Sequence, residues 1–105
     1  MGTTASSSVN AAKTADVDAA VAATAGLTLV GFAAREAHAT AAVATFRIVH
    51  GATGAGGTAI IPVELSANES TSDWFEDGIA VPSGLSIDHI AGTFDCTLFY
   101  VTQSA

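Results

Sequence analysis

Cations are nearly missing from this chain. Lys13, Arg35 and Arg47 stand against ten acidic residues, and the net charge is −7. With no basic cluster to neutralise phosphates, nucleic acid is not an expected partner. The same deficit removes attraction to an anionic membrane surface. Cysteine is as scarce: Cys96 is alone, so no intrachain disulfide can form. No apolar run approaches the ~18 residues that a membrane-spanning helix requires. The opening MGTTASSSVN shows neither the basic nor the apolar region of a secretory leader, so none is expected there.

Large side chains are also few. Aromatics make up 7% of the 105 residues, and 23 of the apolar residues are alanines, which bury little area each. A chain of this length makes one domain, with roughly 5,400 Å² of accessible surface when folded. Its core is modest, and self-association is the natural remedy for a small core.

What is present reads as strand. Leu27, Leu29, Gly31 and Ala33 alternate with Thr28, Val30, Phe32 and Ala34, with both sets apolar enough to be partly buried. Over residues 40–50, Ala42, Ala44, Phe46 and Ile48 take one face. Four glycines then break the pattern in GATGAGGT, residues 51–58, which is expected to be a hairpin loop. Ile61, Val63 and Leu65 define the next strand, and Pro62 within it points to a sheet edge or a non-pairing position. Residues 71–84, TSDWFEDGIAVPSG, hold the only tryptophan and read as a turn-rich crossover between two halves of the domain. Leu85, Ile87 and His89 share a face. So do Phe94, Cys96, Leu98 and Tyr100, in the clearest strand of the chain. Short strands at regular spacing predict an all-β fold: a small antiparallel β-sandwich or jelly roll over residues 21–105. Residues 1–20, rich in Ser, Thr and Ala, are expected to form an extended low-complexity arm before it. Their helix propensity is good, but Val17 and Val21 alone bury too little to hold a helix down.

Catalytic equipment does not assemble in the sequence. His38, His50 and His89 form no HxH or HxxxH, so neither metal nor cofactor is expected. Cys96 alternates with Phe94 and Leu98 and reads as a small core residue rather than a nucleophile. No GxSxG frames a serine, and the glycines of residues 51–58 precede neither a lysine nor a helix. Asp73, Glu76 and Asp77 lack the alternating pattern of a calcium loop and read as a solvated turn. Asn68-Glu69-Ser70 matches a glycosylation acceptor but reads as a turn. A non-enzyme is the expectation. Trp74 and Phe75 leave two readings open, a plug at one end of the sandwich or an interface anchor.

The ordered words AATAGLTLVGFAARE, TAAVATFRIVHGATGAGG, STSDWFEDGIAVPSGLSID and AGTFDCTLFY resemble a family of small bacteriophage proteins over most of residues 22–100. Asp73, Trp74, Phe75, Gly78 and Ile79 match that family's corner motif, and Arg35-Glu36 match its "rE" word. The resemblance implies a structural virion component made in the bacterial host cytoplasm and placed on the outer capsid surface. Such a capsid decoration protein would bridge copies of the major capsid protein as a homotrimer. A head-spike or tail-associated module binding a host glycan or receptor is the alternative. Under either reading Val9, Val17, Trp74, Phe75 and Ile79 are the candidate partner contacts.

Overall fold

The computed structural model describes residues 3–13 and 15–102, with side chains from residue 15 onward. Eight strands follow one another: β1 (Thr3–Lys13), β2 (Val17–Val21), β3 (Thr28–Glu36), β4 (Ala44–His50), β5 (Thr58–Leu65), β6 (Ser70–Ala80), β7 (Leu85–Ala91) and β8 (Phe94–Thr102). They form two four-stranded sheets, β1-β8-β3-β6 and β2-β7-β4-β5. Every pairing is antiparallel, which makes the protein an all-β antiparallel sandwich. The pairs β1–β8, β2–β7, β3–β6 and β4–β5 are nested. The chain is therefore one long antiparallel ribbon, with the β4–β5 hairpin at its tip, folded so that successive rungs fall in opposite sheets.

Alternation in the sequence places the core between those sheets. Leu29, Phe32, Ala34, Phe94, Cys96 and Leu98 come from the first sheet; Phe46, Ile48, Leu65, Leu85 and Ile87 come from the second. Phe46 and Phe94 meet at the centre, with ring centroids 3.9 Å apart and planes 13° from parallel. Both are fully buried. One ring from each sheet therefore pins the layers together. In β3 the inward face changes from Leu29 to Phe32 at a bulge around Val30, which is why both sets of its residues looked apolar. Pro62 lies on β5, the edge strand of the second sheet, as its missing donor requires.

Two expectations are corrected. Residues 1–20 are not an arm apart from the domain over their described length. Thr3–Lys13 runs antiparallel along β8, from Thr3 opposite Thr102 to Lys13 opposite Phe94. Val17 and Val21 of β2 pair with Ile87 and Leu85. A Ser/Thr/Ala strand held through main-chain hydrogen bonds needs no apolar periodicity, so its sequence carries no strand signal. Residues 71–84 are likewise no crossover turn: most of them are β6, an edge strand paired with β3. Opposite Leu29 and Gly31 stand Ile79 and Trp74, so residues 75–78 form a bulge. Gly78 takes φ 69° there, and a Cβ on it would come within 2.4 Å of Thr28 Cγ2.

One buried charge holds the loops at the far end of β3. Glu36 Oε1 accepts the Asn68 N–H at 2.9 Å and Oε2 accepts the His38 N–H at 2.7 Å. Asn68 sits at φ 65°, a left-handed position that asparagine tolerates. These amides, Asn68 first, favour the carboxylate and hold its pKa below the ordinary 4.5 despite burial. The folded value thus lies below the unfolded one. Stability from Glu36 is complete above about pH 4.5 and is lost as pH falls through the depressed value. Thermal melts between pH 7 and 2 should show Glu36→Gln with a shallower acid loss than the parent; equal slopes would remove this role.

Candidate functional site

The outer face of the first sheet carries the most unusual juxtaposition in the molecule. Register places Trp74 of β6, Gly31 of β3 and Phe99 of β8 in one transverse row. With no side chain on Gly31, the indole reaches across β3 and stacks on Phe99, centroids 4.9 Å apart and planes 19° from parallel. A Cβ at position 31 would approach Trp74 Cε3 and the Asp73 carbonyl oxygen to 2.8 Å. The ring is thus fixed from beneath, yet Trp74 remains 62% exposed. Its exposure overturns the reading of Trp74 as a core plug. Phe75 does turn inward: it packs half-buried against the core, 6.4 Å from the Phe32 ring.

Beside the stacked pair the sheet dips. A trough of about 810 Å³ is lined by Ala33, Ser70, Ser72 and Thr97, with Arg35 and Asp95 at its end. Successive rows in a strand pair lie about 7 Å apart, two residues at ~3.4 Å each. Ala33, Thr97 and Ser72 make the row next to the aromatic step, and Arg35, Asp95 and Ser70 the row beyond it. Arg35 Nε donates to Asp95 Oδ2 at 2.8 Å, while the arginine side chain is 70% exposed. Its charge is balanced by a carboxylate, and the guanidinium still presents donors outward. Asp95 Oδ1 is buried without a hydrogen-bond partner among the described residues. The face therefore offers a flat apolar ring, hydroxyls and neutralised donors, a set suited to binding.

The other candidate contacts are scattered. Val9 lies in β1 opposite Cys96, where side chains fall outside the described residues. Val17 and Ile79 are half-buried and pack against the core from different sheets. Of the four whose side chains are described, only Trp74 stands well into solvent. Phe99, Gly31 and Ser72 were not singled out from sequence. An isolated glycine inside the apolar run of residues 27–34 was the available signal, since such a glycine marks close approach of another group.

The groups considered for chemistry are spoken for or apart. His50 Nε2 accepts the Ser83 N–H at 3.0 Å, and His89 Nε2 lies 2.8 Å from the Gly92 carbonyl oxygen. Cys96 is buried, and desolvation pushes its thiol pKa up to about 12, which makes it inert at neutral pH. Among the described residues no three His, Cys, Asp or Glu side chains gather as metal ligands would.

A second, smaller feature lies on the other sheet. Val43, just before β4, and Ile90, near the end of β7, are 53% and 52% exposed at the same end of that sheet. On the neighbouring strand positions Arg47 pairs with Asp88 through Nε, at 3.0 Å, and through Nη2. Compared with protein-family models, curated proteins and solved structures, the chain matches none.

Proposed function

We propose that this protein is a non-catalytic structural module of a bacteriophage virion, a decoration protein that seats on the outer capsid and bridges its subunits. The reading begins from the resemblance of residues 22–100 to small phage proteins. The nested strand order supports it: we read it as jelly-roll-like, and jelly rolls are used in viral shells among other roles. Fold alone does not assign a task, so the surface must.

The observation that carries the proposal is the exposed pair Val43 and Ile90 beside the Arg47–Asp88 ion pair. Apolar residues rimmed by charges that already satisfy one another are the anatomy of a protein-docking patch. Each contact is small. A lattice of copies multiplies weak contacts through avidity, and binding only the assembled shell stabilises that shell by mass action. The acid excess keeps free copies apart until they meet the lattice.

The test is the copy number of this chain in purified particles, measured by quantitative peptide mass spectrometry against the major shell protein. A ratio comparable to the shell protein's is expected, and Ile90→Asp should lower it while leaving the fold intact. A handful of copies per particle would instead indicate a spike or tail component, and absence from particles would end the virion reading.

A further inference from the structure

We propose that the outer face of the first sheet is a binding site for a neutral oligosaccharide, with Trp74 as its stacking platform. This goes beyond the decoration reading and does not depend on it, since it concerns the opposite sheet.

The shape comes first. A pyranose ring has a face of C–H groups that lies flat on an aromatic ring, and hydroxyls around its rim that need partners. Trp74 presents such a ring, its inner side held by Gly31 and Phe99 and its outer side open. A side chain already fixed in its bound orientation loses little freedom when a ligand arrives. Shielding Gly31 accounts for the indole's inner side, as an aromatic laid over a strand glycine commonly does. It gives no reason for the trough beside it.

That trough supplies the second half of a sugar site. From the Phe99 row to the Asp95 row is four residues of β8, about 14 Å at ~3.4 Å per residue. This is room for a short oligosaccharide running off the platform. Its floor is Ala33, small enough to admit a ring, and Ser70, Ser72 and Thr97 put hydroxyls along it. At the end Arg35 offers guanidinium donors while its Nε is bound to Asp95. Hydroxyls that both donate and accept, with one fixed donor group, match the rim of a sugar better than an apolar protein surface.

Charge then selects among saccharides. The chain's net charge is −7, and Arg35, the trough's one cation among the described residues, is neutralised by Asp95. Sulfated, phosphorylated and uronic sugars are repelled at long range and find no uncompensated cation among the described residues of the trough. The ligand class is therefore neutral.

Trp74 is the only tryptophan, so intrinsic fluorescence reads this site alone. The full chain is screened on a glycan array spanning neutral and acidic structures. The best neutral trisaccharide is then titrated against Trp74 emission, with a heparin-derived oligosaccharide as control. A saturable change in the millimolar range is expected with the neutral sugar and none with heparin. Arg35→Ala should weaken binding about tenfold. Ser72→Leu, at an exposed position, should fill the trough and abolish binding while circular dichroism stays unchanged. No neutral glycan bound, binding of acidic glycans only, or a titration untouched by Ser72→Leu would each overturn the proposal. So would an emission shift that follows protein concentration without sugar, together with a dimer in sedimentation, because a second copy would then cover the face. None of these outcomes alters the particle copy number, so the two readings fail separately.

Discussion

Replacing Phe94 by alanine is expected to lower unfolding free energy by about 3–5 kcal/mol, the range for deleting a buried aromatic. The ring is fully buried and lies 3.9 Å from Phe46, its partner in the opposite sheet. Removing it takes away both the burial of one large side chain and the stack that joins the layers. A domain of this length has only about 5–15 kcal/mol in total, so roughly a fifth or more of the stability is at stake. Denaturant unfolding followed by circular dichroism measures the effect. A loss below about 1 kcal/mol would mean that the sheets are joined elsewhere.

Deleting residues 1–20 is expected to have the second large effect, and its origin is different. The truncation strips β1 from β8 and most of β2 from β7, leaving a bare edge on each sheet. It also removes the Asp18 Oδ1 that accepts the Gly54 N–H, the Asp16 Oδ1 that accepts the His89 N–H, and the Ala19 N–H donated to Ser86 Oγ. Ser86 is fully buried and keeps only its bond to the Gly51 carbonyl oxygen. The truncated chain should lose its cooperative thermal transition at ordinary temperature. Deleting residues 1–13 alone should leave a folded core whose uncovered β8 edge promotes association, visible in sedimentation. A cooperative melt of the longer truncation within a few degrees of the parent would show that the first two strands are dispensable.

Where a strand buries one face, the chain announced it. Phe94, Cys96 and Leu98 alternate with half-buried neighbours as period-two burial requires, and in β4 Ala44, Phe46 and Ile48 alternate with Thr45 and Arg47 before Val49, also buried, breaks the period. Pro62 marked an edge, and the glycines of residues 51–58 marked the ribbon's tip. β1 and β6 were not legible. One is polar and joined by main-chain bonds; the other is an exposed edge whose residues 75–78 bulge out of register. Neither writes a hydrophobic period, because neither depends on one.

The candidate sites divide the same way. Trp74 drew notice as the only tryptophan, but its neighbours in sequence are Asp73 and Phe75, which do not make its platform. Gly31 and Phe99 do, from positions 43 residues before and 25 after, and only register across three strands brings them together. Alternation, composition and charge were enough to establish an all-β chain with a small core and an anionic surface, because those depend on solvent and on neighbours along the backbone. Which polar segments pair, which aromatic faces water and where hydroxyls gather beside it depend on contacts between distant strands. Those contacts exist only once the ribbon has folded over.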